Sequence, residues 1–145
     1  MYKTIVVATD GSQIADKAVE HAVALAKALG AALTAVLVTE PFEAVAFTEN
    51  LSVLNPADYK KRCDAHADGI LSKVCDRAKA VGVDCNAVHQ DDHWPYAGVI
   101  KVAEEANADL IVMGSHGRRG LEGLILGSQA AKLLTHTKIP TLVVR

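Results

Sequence analysis

"TIVVATDGS", Thr4 to Ser12, is the stretch whose reading decides the fold. Thr4 to Thr9 is a short β-branched run without polar alternation, the pattern of a strand covered on both faces. Asp10, Gly11 and Ser12 follow as turn chemistry, and Ser12 suits an N-cap. Beyond it Ala15, Ala18, Val19, Ala22, Leu25, Ala26 and Leu29 recur at helical spacing, and Gly30 stands where a helix stops.

The same alternation of strand and helix continues outward. "ALTAVLV", Ala32 to Val38, reads as a second buried strand. Thr39 to Pro56 has no clear period and reads as a long connection carrying a short helical piece; connections of this length are usually functional or mobile. Asn55 then offers an N-cap, Pro56 suits the first helical position, and Asp58 adds negative charge to the first turn. Cys63, Ala67, Ile70, Leu71, Val74, Ala78 and Val81 form the expected inner stripe of that helix, which Gly82 ends. Asp84 to His89 is the weakest strand signal. The helix from Pro95 to Ala106 is expected to bury Val99, Ile100 and Ala103. "DLIVM", Asp109 to Met113, is a strong strand; a short helix from Ser128 to Thr135 and a last strand, Thr141 to Val144, complete the order. Strands alternating with helices predict an α/β fold whose mostly parallel sheet is covered on both faces.

The bulk composition agrees. The 145 residues fit one domain spanning 1–145, and with 50% hydrophobic but only 4% aromatic residues the core is built from Ala, Val, Leu and Ile. A net charge of −2, with acids and bases mixed, favours neither nucleic acid nor an anionic membrane as partner. The amino terminus lacks a signal-peptide pattern, and no apolar run approaches the ~20 residues that span a bilayer. Cys63, Cys75 and Cys85 form an odd set without a C-x-x-C pair, so a reduced, cytoplasmic setting is expected.

Ligands of open parallel sheets lie outside the carboxyl ends of strands, where the winding reverses. Two loops at such ends have suitable composition: "ATDGS" after the first strand and "GSHGRRGLEGLILGS", Gly114 to Ser128, after the fourth. The second holds five glycines and two arginines and closes where a helix begins. Unpaired N–H groups at a helix start attract anions, Ser128 adds a hydroxyl, and bare glycines let phosphate oxygens reach the backbone. The loop is not a P-loop, for no lysine precedes Ser128, and its first spacing differs from the dinucleotide fingerprint. Glycine content alone leaves a phosphate cradle and a flexible turn both open.

The stretch from Gly114 to Ser128 resembles the G-x2-G-x9-G-S/T signature of the universal stress protein family, in its nucleotide-binding branch. "KTIVVATDGS", "ADLIVMGSHG" and "PTLVVR" resemble that family in the expected order, so the similarity covers essentially the whole chain. The resemblance implies a Rossmann-like, five-stranded parallel sheet in order 3-2-1-4-5, flanked by four helices, with ATP and accompanying Mg²⁺ at the switch point. Carried over by position, it implies that Ala8, Asp10 and Val38 line the adenine and ribose side. Val38 would read the adenine edge through its backbone, and Asp10 would take a ribose hydroxyl or help hold magnesium. Gly114, Ser115, His116, Gly117, Arg118, Arg119, Gly127, Ser128, Gln129 and Ala130 would hold ribose and phosphates. Gln129 departs from the small apolar residue expected at its position.

Plainer readings stand beside these. Asp10 suits a helix cap as well as a ligand contact. His116 lacks a carboxylate partner nearby in sequence, which favours positioning over general-base chemistry. Loop arginines are often solvated. "HQDDH", His89 to His93, invites a metal but reads better as a solvated loop, and Cys63 with His66 reads as core packing. Trp94 and Tyr96 flank Pro95 and are assigned to packing against the preceding loop, not to base stacking. The expected function is a cytoplasmic ATP-binding regulatory protein. Its rivals are a slow ATPase and a homodimeric interaction module that pairs through Thr141 to Val144.

Overall fold

In the computed structural model, which describes residues 1–47, 55–117 and 125–145, strands and helices alternate as the sequence predicts. They are β1 (Thr4–Ala8), α1 (Gln13–Leu29), β2 (Ala32–Thr39), α2 (Phe42–Val45), α3 (Pro56–Ala80), β3 (Cys85–Asp91), α4 (Pro95–Glu105), β4 (Leu110–Gly114), α5 (Ser128–His136) and β5 (Thr141–Val144). The middle of the connection after β2 and the middle of the glycine-rich loop, including Arg118 and Arg119, lie outside the described residues.

The five strands are ordered β3-β2-β1-β4-β5, and every pairing is parallel. Side-chain alternation assigns the faces. Ile5, Val7, Leu33, Ala35 and Val112 meet α1 and α3 on one side, while Val6, Val36, Ile111 and Met113 meet α4 and α5 on the other. Small residues let the helices lie close: Ala18, Ala22 and Ala26 of α1, with Ala67 and Ala78 of α3, are almost completely buried.

Local signals act as expected. Ser12 Oγ accepts from Ala15 N at 3.3 Å, and Asn55 Oδ1 accepts from Asp58 N at 2.8 Å. Gly30 ends α1 in the left-handed region at φ 63°. The short helical piece of the long connection is α2, a single turn. At the amino ends of the central strands β1 and β4, opposite the strand ends that matter below, Asp109 accepts from the amides of Lys3 and Thr4, at 2.8 and 3.1 Å.

Tertiary packing changes four sequence-based expectations. Leu29 and Val81, placed on inner stripes, are 44% and 40% exposed; Leu29 is the last residue of α1 and Val81 the C-cap of α3. Cys63 is only partly buried, while Cys75 joins the core. The inner face of α4 runs through Gly98 and Val102 as well as Val99 and Ala103. "HQDDH" is no solvated loop: β3 extends to Asp91, and His89 Nε2 lies 2.7 Å from Thr39 Oγ1 while its Nδ1 lies 3.1 Å from Asp64 Oδ1. Strand pairing with β2 extends this far because Thr39 meets Asp91 in register.

Among the described residues no helix is long and apolar enough to cross a membrane. All three cysteines are free thiols. Burial, and then Cys75 beside it, push the Cys85 thiol up to about 12, so it stays protonated and is no nucleophile at neutral pH.

Candidate functional site

The winding reverses between β1 and β4. The chain leaving β1 turns into α1 on one face, and the chain leaving β4 reaches α5 on the other, so the two loops part and a crevice opens between them. A cleft of about 740 Å³ occupies this crevice. Its floor is Val36, Met113 and Leu133; Asp10, Gly117 and Ser128 line it beyond β1 and β4, and Val38, Glu40 and Trp94 where β2 and β3 end.

The part beyond β1 and β4 is built from backbone. Gly127 is the N-cap of α5 and offers no side-chain cap. Ala131 is the first α5 amide bonded back along the chain, to Gly127 O at 3.0 Å. The amides of Ser128, Gln129 and Ala130 therefore have no partner within the helix, and all three residues line the cleft. Amides without a partner among the described residues and the positive end of the helix dipole meet at one place.

The glycines of this part are explained by close approach of the protein to itself. A Cβ at Gly117 would stand 2.7 Å from Asp10 Oδ2, and one at Gly127 would stand 3.0 Å from Ser115 O and 3.1 Å from His116 Cα. A Cβ at Gly114 would press on Ile14 of α1 at 3.2 Å. Absent side chains thus let the loop fold down over the end of β1, which sets Gly117 beside the Asp10 carboxylate. That carboxylate is itself positioned by Ser12 N, which donates to Oδ1 at 2.9 Å.

Ser115 is brought to the loop but not to the cleft surface. It is 2% exposed, its N–H donates to Val144 O at 2.7 Å, and its carbonyl accepts from Gly127 N–H at 2.6 Å. Its hydroxyl lies 3.2 Å from His116 Nδ1, so the pair braces the loop from beneath. His116 lines the cleft with that nitrogen engaged by a hydroxyl, which leaves no carboxylate, among the described residues, to orient it as a base.

The part where β2 and β3 end uses strand edges. Thr9 N, just past the end of β1, donates to Val36 O at 2.9 Å. Two residues on, strand alternation turns the N–H and C=O of Val38 to the same side, past the end of β1 and toward the cleft. The Val38 side chain is held down by α4, where a Cβ on Gly98 would stand 2.8 Å from both methyl carbons. An isolated glycine inside a helical pattern is the sequence signal for such a close approach.

Glu40, His93, Trp94 and Tyr96 also line the cleft, and sequence reasoning did not place them there. Trp94 and Tyr96 are corrected from packing residues to cleft wall, since β3 ends and α4 begins above the same strand ends as the glycine loop. Gln129, the departure from the family pattern, ties two helices together, for its Oε1 accepts from Tyr96 N at 3.1 Å. Of the two helix starts at the cleft, that of α4 thus has its Tyr96 amide taken by Gln129, while the first three amides of α5 have no partner among the described residues.

These features define a doubly wound α/β protein with a ligand cleft at its topological switch point. The model of the universal stress protein family matches residues 1–145, and the chain belongs to that family. It is 32% identical to Universal stress protein MJ0531 of Methanocaldococcus jannaschii, over 100% of this chain and 83% of that protein. Among solved structures it is similar to hypothetical protein MJ0577, with a TM-score of 0.84 at 26% identity, covering 99% of this chain and 96% of the other. A universal stress protein crystallised in complex with cAMP is 31% identical, with a TM-score of 0.74 and coverage of 99% and 97%.

Proposed function

We propose that this protein binds an adenine nucleotide, ATP with Mg²⁺, in the switch-point cleft and acts as a cytoplasmic regulatory protein of the stress response. One observation carries the reading: the uncapped start of α5 presents three amides, without a partner among the described residues, to a cleft that also holds the Asp10 carboxylate. The complex of a relative with cAMP supports an adenine nucleotide as the ligand class. Phosphate oxygens would accept from the amides of Ser128, Gln129 and Ala130 and approach Gly117 and the Ser128 hydroxyl. The backbone edge of Val38 turned away from β3 would take the adenine edge, with Ala8 beneath, and Gly114 would keep the loop down on α1. Ser115 and His116 would hold the loop's shape. Arg118 and Arg119 belong to this proposal as phosphate contacts on charge alone.

The fit of Mg²⁺ is a matter of donor chemistry. Magnesium is usually held by one or two carboxylates together with substrate phosphates, and Asp10 offers one carboxylate at the phosphate end. Bound there, the ion would offset the repulsion between that carboxylate and the phosphate tail. An ATPase would need a group to position water as well, and His116 is turned to Ser115 instead. Binding, more than turnover, is thus what the site supports. Calorimetric titration with ATP·Mg²⁺ tests this directly. Saturable heat and thermal stabilisation are expected; neither at millimolar ATP would end the proposal, and steady phosphate release at stoichiometric protein would promote the enzyme reading.

A second feature favours self-association. β5 is an edge strand, and its bonds to β4 use Pro140 O and Val144 O, so by alternation the N–H groups of Thr141 and Val143 face outward. We propose that a second copy pairs here. Val143→Pro removes an outward N–H, keeps the bonds to β4 and trims some packing against the core beneath, and should give monomers by light scattering with the fold retained. A dimer of unchanged mass would exclude this edge as the interface.

A further inference from the structure

The cleft wall contains a feature that phosphate binding does not explain. Trp94, the single tryptophan of the chain, is 54% exposed, and its backbone is held on both sides. Its N–H donates to Asp92 Oδ1 at 2.9 Å, and its carbonyl accepts from Gly98 N at 3.1 Å. Pro95 follows with its restricted backbone. The next residue, Tyr96, is tied to α5 by the hydrogen bond its N–H donates to Gln129 Oε1 and by ring contact with His136, centroids 5.0 Å apart. From α5 the Lys132 ammonium also reaches over the indole, 4.8 Å from its centroid.

The part of the indole that stands in water gains nothing from burial, while the backbone that carries it is held by both bonds. Such a ring, placed at the edge of a cleft, is prepared to receive another flat surface. Its position suits one kind of surface. Trp94 lines the same cleft as the backbone edge of Val38, the Glu40 carboxylate and the anion-receiving amides of α5.

Resting on the nucleotide reading above, we infer that Trp94 is the stacking platform for the planar base of the ligand and a specificity-determining residue of the cleft. The base lies against the indole with its polar edge toward Val38, and Lys132 backs the ring with a cation, which draws on its π-face. Trp94 thereby makes the site select ligands that carry a purine ring over phosphates that carry none. Gln129 and Lys132 tie this platform to the helix whose start receives the phosphates, so both ends of the ligand bear on α5.

Because the chain has one tryptophan, its emission reports on this position alone. The experiment titrates wild type, Trp94→Ala and Trp94→Phe with ATP·Mg²⁺, cAMP and inorganic tripolyphosphate, by calorimetry and, for wild type, by fluorescence. Both nucleotides should change the emission saturably, and tripolyphosphate should not. Loss of the ring should weaken ATP binding about tenfold to a hundredfold, the range that stacking on an aromatic side chain supplies. Phenylalanine should recover most of it, and tripolyphosphate should bind wild type and Trp94→Ala alike. ATP binding to wild type with unchanged emission, or equal ATP affinity in Trp94→Ala, would overturn the inference while leaving the nucleotide reading intact. Failure of wild type to bind either nucleotide would remove both. The wild-type emission test holds even if Trp94→Ala does not fold.

Discussion

Gly127→Val is expected to lose nucleotide binding by about a hundredfold while most of the fold survives. The backbone itself permits a side chain, since Gly127 has φ −75° and ψ 164°. The obstacle is contact: its first added carbon would stand 3.0 Å from Ser115 O and 3.1 Å from His116 Cα, main-chain atoms that no rotamer change moves aside. The loop must lift, which breaks the 2.6 Å bond from Gly127 N to Ser115 O and turns the start of α5 away from the cleft. Two charge-assisted bonds at ~1.5 kcal/mol each correspond to that hundredfold, and overpacking costs ~1–3 kcal/mol of stability besides. Calorimetry with ATP·Mg²⁺ and a thermal melt check both. Wild-type affinity and wild-type melting together would show that the loop does not close on α5 in this way.

Leu133→Ala is expected to be the most costly single truncation near the site. Leu133 is completely buried and, with Ala130, makes up the buried side of α5 against Val6, Ile111 and Met113. Removing a buried leucine costs ~2–5 kcal/mol, more where the surroundings cannot collapse. Here the vacated space would open upward into the cleft, whose floor Leu133 provides. A loss of about 3 kcal/mol would lower Tm by about 10 °C for a chain of this size. Nucleotide binding should weaken in parallel, because α5 is the element that offers the amides. Denaturant unfolding measures the first effect, and a loss under ~1 kcal/mol would mean that α5 is held by something other than this contact.

Much of the site follows from local order. "ATDGS" and the glycine-rich loop are recognisable because each follows an apolar β-branched run and precedes a helix start, and such signals need only neighbouring residues. Gln129 shows the opposite case. In sequence it is an unexplained departure; in space it closes the start of a helix 33 residues away. Trp94 and Tyr96 escape a sequence reading for the same reason, because nothing local says that the start of α4 faces the cleft.

By itself the sequence determined the succession of elements, the parallel sheet and the two loops at its carboxyl ends, since hydrophobic period, caps and breakers act over a few residues. Only the tertiary structure decided what the glycines are for and which side chains complete the cleft. Gly117 meets Asp10, Gly127 meets Ser115 and Gly98 meets Val38 through helix and loop packing across the sheet. Those distances depend on how layers sit against one another, and no spacing along the chain encodes them.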